Sequence, residues 1–202
     1  QILLNIDKNF IRAVDHLELL RYVARTANQE AYNYLGFRNS CISTSAATIY
    51  VLQFLGYKAS PLRVRADVDW GQLSVHRSVL GSDGDGKRLP RAKPGDWYGH
   101  LAVAVESRYL VDPTLDQATR YQGGVCIPPL VARASSAFLA GREPLELIHG
   151  NVTVRYKAFP QRGGFRNAGY FQQSQWMPYA ENILKRIMGH FVRAEFVPRV
   201  LH

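Results

Sequence analysis

The chain has 202 residues, 47% of them hydrophobic and 20% charged, which suits one soluble domain with a sizeable core. No apolar run approaches the roughly 20 residues of a bilayer-spanning helix, so no membrane role is expected. Two cysteines, Cys41 and Cys126, make no disulfide framework and point to a reducing, cytoplasmic setting. The net charge of +9, with a pI near 9.8, permits an acidic or nucleic-acid partner without establishing one.

Taken in order, residues 8–36 read as helical. Phe10, Ile11, Val14, Leu17, Leu20 and Val23 recur at three- and four-residue intervals, with Asp7 as N-cap. Ala27 to Leu35 continues as a second helix or a bent extension, broken at Gly36. Residues 39–56 form the next helix, with Asn39 or Ser40 as N-cap and Gly56 at the C′ position. It is apolar on nearly all sides, which marks a core helix. Cys41 lies in its first turn, at the positive end of the helix dipole, where a thiolate is stabilised. Taken alone, a cysteine there reads as a small core residue. The amides of Gln29, Asn33 and Asn39 are candidates to hold an oxyanion near it.

Leu62, Val64, Ala66 and Val68 alternate with Arg63, Arg65, Asp67 and Asp69, the pattern of a half-buried strand. Residues 71–80 are ambiguous. Residues 81–96 have loop composition; Asp83 and Asp85 lack the further ligands of a calcium loop. Trp97 to Glu106 and Tyr109 to Thr114 read as a β-hairpin. If its turn is Glu106-Ser107-Arg108, Val105 pairs with Tyr109 and Asp112 lies opposite Ala102. His100 and Asp112 then share one face as diagonal neighbours. A two-residue turn would place them on opposite faces.

Residues 115–144 are poorly patterned, with a short helix expected within 130–140. Leu145 to Phe159 reads as two strands or one interrupted strand, with Gly150-Asn151 a candidate turn. Gln161 to Gln175 reads as loop and Met177 to Phe191 as a C-terminal helix with Ile183, Leu184, Ile187 and Met188 inward. Arg193 to His202 is expected to form a short strand. No Cys-x-x-Cys or His-Glu-x-x-His spacing and no Gly-rich phosphate loop is present, so no metal or other cofactor is predicted.

A cysteine at a helix start, a strand opening with histidine and an aspartate on the partner strand together have a chemical purpose. The thiolate attacks, the imidazole moves the proton, and the carboxylate fixes the imidazole tautomer. Cys41 followed by Phe54-Leu55-Gly56-Tyr57-Lys58-Ala59 and Leu62-Arg63-Val64, then His100-Leu101-Ala102-Val103-Ala104-Val105, then Tyr109-Leu110-Val111-Asp112-Pro113-Thr114, resembles the core of the transglutaminase-like superfamily. This superfamily is related to the arylamine N-acetyltransferases and papain-like cysteine peptidases. The match spans roughly residues 39–116.

The resemblance implies an α+β fold of papain-like, transglutaminase-like type, its nucleophile helix packed on an antiparallel sheet. The chain then divides into N-terminal helices (1–38), a catalytic core (39–160) and a C-terminal loop and helix (161–202) of one domain. It also implies that Cys41 is the nucleophile, His100 the base and acid, and Asp112 the orienting carboxylate. The Cys41 backbone amide would be an oxyanion donor, and Trp97 and Tyr98, with Trp70, would line a substrate pocket. The aromatic residue common beside the family's histidine is Leu101 here.

The implied function is thiol-dependent cleavage or transfer of an amide on a protein or peptide. Acyl transfer from a thioester, as in arylamine N-acetyltransferases, is one alternative. A catalytically silent binding module is a second. A third is a nucleic-acid surface built from Lys87, Arg88, Arg91 and Lys93, with Arg155, Lys157, Arg162, Phe165, Arg166, Tyr170 and Phe171 as a second group.

Overall fold

A computed structural model describes residues 15–35, 41–71, 77–81, 99–121, 127–160 and 173–195. Helix α1 spans His16–Leu35 and α2 spans Cys41–Phe54, followed by strands β1 (Ala59–Asp69), β2 (Arg77–Leu80), β3 (His100–Val105) and β4 (Tyr109–Asp112). A 3-10 helix follows at Leu115–Tyr121, then β5 (Leu130–Arg133), a single helical turn α3 (Ser136–Leu139), β6 (Leu145–His149), β7 (Val152–Ala158) and the long C-terminal α4 (Gln173–Glu195). The fold is α+β, as expected.

The strands form one antiparallel sheet in the order β5-β4-β3-β1-β7-β6, with β2 also on β1. The long β1 is central. Its first half pairs with β3, through Ala59↔Val105 to Val64↔His100. Its second half pairs with β2 and, on the other edge, with β7. The alternation along β1 survives intact: Leu62, Val64, Ala66 and Val68 are buried, and the intervening residues are partly exposed.

Two cores lie on opposite faces of this sheet. On one face Val103, Val105, Val111 and Ala59 meet Leu20, Val23 and Ala27 of α1, Val51 and Leu52 of α2, and Ile183 and Ile187 of α4. Each Val, Leu or Ile among them contributes about 1.5–3 kcal/mol on burial. On the other face Leu62, Val64, Ala66, Val68, Ala102, Leu110, Val154 and Tyr156 enclose a second core, filled by Trp70, Leu115, Ile127 and Phe138. Helix α2 is buried almost all round, as expected for a helix with no polar stripe. It ends in a Schellman motif: Tyr57 N–H donates to the Leu52 carbonyl and Gly56 N–H to that of Gln53, with Gly56 at φ +88°.

Several expectations change. The first described helix begins at His16, where Asp15 caps it by accepting from the Leu17 amide, so the continuous helix expected over 8–36 is interrupted at Asp15. Residues 1–14 lie outside the described residues. Residues 115–144 hold a 3-10 helix and the edge strand β5, neither of which was expected. Short elements with few periodic contacts carry little sequence signal. The ambiguous 71–80 contributes β2. The Leu145–Phe159 stretch resolves into two strands turning at Gly150-Asn151, with His149 paired to Val152. The C-terminal helix starts at Gln173 and runs to Glu195, past the point where a strand was expected. Residues 196–202, most of the 81–96 loop and 161–172 lie outside the described residues.

Candidate active site

The β3–β4 hairpin turns through Glu106-Ser107-Arg108. Arg108 N–H donates to the Val105 carbonyl, and Glu106 and Ser107 adopt φ +52° and +51°. Val105 pairs with Tyr109 and Val103 with Val111. That is the register that sets His100 and Asp112 on one face. Both point into the second core, and Ala102 between their rungs leaves room for them to meet.

They do meet. His100 Nε2 lies 2.7 Å from Asp112 Oδ2, and the two residues are 1% and 0% exposed. The Cys41 sulfur is close enough to the same imidazole to favour its protonated form. With Nε2 engaged by Asp112, Nδ1 is the ring nitrogen left for the sulfur. Cys41 is the first residue of α2, its thiol is free, and it is 8% exposed. One turn along α2, the Ser45 hydroxyl donates to the Leu101 carbonyl at 2.7 Å. This buried bond ties the first turns of α2 to the start of β3, next to His100, and so sets the approach of sulfur to ring.

Burial alone would drive the His100 pKa down. The Asp112 carboxylate, its hydrogen bond and the Cys41 sulfur, as acceptor and opposite charge, outweigh burial and hold it up at about 10. The imidazolium is therefore favoured once a proton arrives from the thiol.

Asp112 is fixed on all sides. The Thr114 amide donates to Oδ1 at 3.1 Å, and the Tyr156 hydroxyl donates to Oδ2 at 2.9 Å. The turn beyond it is anchored to α1, where Asn28 Nδ2 donates to the Pro113 carbonyl and to Asp116 Oδ1, both at 2.9 Å. Tyr156 is fully buried. Burial first, then the neighbouring carboxylate, raises its pKa, so it remains a protonated donor. Tyr156 was absent from the sequence-derived site. Its inward position in β7 follows from alternation with Val152, Val154 and Ala158, but its partner could not be read from that alternation.

His100 is also packed from behind. Gly81, at φ +83°, ends β2 so close that a Cβ there would meet the Val64 carbonyl oxygen at 2.7 Å and the His100 amide nitrogen at 2.8 Å. Only glycine fits both the conformation and the space.

Other expected site residues lie elsewhere. Trp70 is no pocket wall: it is fully buried in the second core, and its indole N–H donates to Ser78 Oγ at 3.2 Å. Its size and the alternation of β1 carry it inward. Gln29 is exposed and its side-chain oxygen accepts from Arg186 of α4 at 2.7 Å, so that carbonyl is turned to α4. Asn33 is exposed on α1. Asn39, Trp97 and Tyr98 lie outside the described residues. Of the other histidines, His16 meets the Tyr57 hydroxyl at 2.7 Å and His190 stacks on Tyr22.

The basic groups are partly spoken for. Arg155 Nε donates to Glu146 at 2.9 Å, and Lys157 and Arg63 lie over the Phe159 ring at 5.5 and 5.7 Å. The remaining cations and aromatics of the nucleic-acid reading, Lys87, Arg88, Arg91, Lys93, Arg162, Phe165, Arg166, Tyr170 and Phe171, lie outside the described residues. Among the described residues no helix is long and apolar enough to cross a membrane, and no three His, Cys, Asp or Glu side chains converge as a metal site.

Chemically, the arrangement is a thiol at a helix N-terminus, an imidazole close to it, and a buried carboxylate holding the ring. No protein-family model, no curated protein and no solved structure matches the chain.

Proposed function

We propose that the protein is a thiol enzyme of transglutaminase-like type that forms an acyl-enzyme at Cys41 and cleaves or transfers an amide of a protein or peptide. One observation carries this reading: the His100 imidazole is held at 2.7 Å by the Asp112 carboxylate and has the Cys41 sulfur near enough to favour its protonated form, with all three residues buried.

In the first step the thiol proton passes to His100, and the sulfur attacks the substrate carbonyl carbon. A C–S bond forms and the carbonyl π pair moves to oxygen. The Cys41 backbone amide, unclaimed by the helix ladder at its first residue, is placed to donate to that oxyanion. The intermediate collapses, the C–N bond breaks, and the imidazolium protonates the departing amine. Asp112 stabilises the imidazolium throughout and holds the ring in place. Water or an amine then attacks the thioester, giving its proton to His100, and the thiol is regenerated. Water makes the enzyme an amidase or peptidase, and an amine makes it a transferase.

The test is intact-mass detection of an acyl adduct after incubation with peptide amides. An adduct on the wild-type chain that is absent from Cys41→Ala supports the reading. A Cys41 no more reactive toward a thiol probe than free cysteine near neutral pH sinks it, and leaves a binding module on this fold.

A further inference from the structure

The Cys41, His100 and Asp112 set has a fourth member in the fold. Tyr156 stands on β7, and two strands, β1 and β3, separate it from Asp112 on β4. Three strand steps amount to about 14 Å in a flat sheet. The hydroxyl reaches the carboxylate only because the sheet curls and the residues beneath its path are small. Ala66 is paired with Tyr156, and Ala102 occupies the same inward face of β3. The sheet thus delivers a fully buried donor to one chosen oxygen, the same Oδ2 that receives His100 Nε2–H.

We propose that Tyr156 is a positioning residue of the Cys41–His100 couple: it locks the Asp112 rotamer and shares Oδ2 with His100, which tempers the carboxylate's pull on the imidazolium. This rests on the reading of Cys41 and His100 as a working couple.

The physical argument is a count of donors and of charge. A buried carboxylate, even one facing an imidazolium, needs its lone pairs filled. The Thr114 amide supplies one donor to Oδ1, and His100 and Tyr156 supply two to Oδ2. The Tyr156 O–H dipole points its positive end at Oδ2 and therefore opposes positive charge on the adjacent ring. In a dry site such a dipole is poorly screened. Without the hydroxyl, Asp112 would hold the imidazolium more tightly, and His100 would surrender its proton to the leaving group less readily. Among the described residues, the titratable groups facing His100 are Cys41 from α2 and Asp112 from β4, with Tyr156 from β7 acting through Asp112. β1 presents Val64 at the paired position, and β2 ends in Gly81.

The experiment is the pH profile of Cys41 carboxymethylation by iodoacetate. This anionic reagent is drawn to the imidazolium, so its rate falls at the upper limb where His100 deprotonates. Tyr156→Phe keeps the ring and removes only the hydroxyl. The upper limb is expected to move to higher pH by about half a unit or more. A limb that stays in place or moves down overturns the proposal, provided the variant's near-ultraviolet dichroism matches wild type. Asp112→Asn tests the couple separately. If it lowers the limb while Tyr156→Phe leaves it unmoved, Tyr156 is only core and the couple stands. If neither Asp112→Asn nor His100→Ala alters the profile, the couple itself fails.

Discussion

Ser45 and Leu101 are joined by a buried hydrogen bond, the serine hydroxyl donating to the leucine carbonyl at 2.7 Å. Ser45 stands one turn after Cys41 and Leu101 directly follows His100. The bond therefore fixes the two elements that carry the thiol and the imidazole against each other.

Removing it should separate stability from reactivity. Ser45→Ala leaves a buried carbonyl unsatisfied and is expected to cost about 1–3 kcal/mol. It should also slow Cys41 alkylation severalfold. Thr48 is the control: its hydroxyl bonds the Thr44 carbonyl within the same helix. Thr48→Ala should change the urea midpoint without changing the alkylation rate. Equal effects of the two variants on alkylation would refute the link between this bond and the site.

Gly81→Ala should act on His100 directly. The added methyl meets backbone on both sides, and its φ of +83° is strained for any L side chain. A loss of about 2–4 kcal/mol in urea unfolding is expected, with a weaker Cys41 response to thiol probes. Gly56→Ala provides the comparison, since its φ of +88° is similar but its Cβ would sit in open space. There the cost should be only about 1 kcal/mol. Equal losses at the two positions would show that the contact with His100 carries no weight.

Stability should depend on pH through His100. Its folded pKa, about 10, lies above the ordinary 6.5. The stabilisation from this group is therefore complete below about pH 6.5 and is lost as pH rises through about 10. The urea midpoint of the wild-type chain should fall over that window more steeply than that of His100→Gln, in which the titration is absent. Parallel curves would contradict the charged pairing with Asp112.

Trp70→Phe should be a stability mutation only. The indole is fully buried and its N–H is bonded to Ser78. Losing that bond and some volume is expected to cost about 1–3 kcal/mol. The rate of Cys41 alkylation should match wild type in the folded variant. A changed rate with an unchanged urea midpoint would return Trp70 to the site.

Much of the hairpin that carries the site was legible beforehand. Alternation assigned faces along β1 and β3. The three-residue turn then fixed the pairing of Val105 with Tyr109, because one step of register moves every side chain to the other face. The expectation of Trp70 in a substrate pocket set that alternation aside: continued from Leu62 to Val68, it carries the indole into the core. Gln29 was singled out for its nearness to Cys41 in sequence, which says nothing of the Arg186 guanidinium, 157 residues away, that donates to its carboxamide oxygen.

By itself, then, the sequence determined the α2 core helix, its glycine stop and the inward face of β1, and left the histidine and aspartate of the hairpin to one of two registers. These are local properties, set by side-chain period and turn length. Only the tertiary structure decided which strands became neighbours, how far the sheet curled, and therefore what surrounds the carboxylate. Tyr156 reaches Asp112 across 44 residues of sequence, and Gly81 backs onto His100 with no local pattern to announce it. Periodicity encodes the face a residue takes. The packing of two cores on a curved sheet encodes whom it meets there.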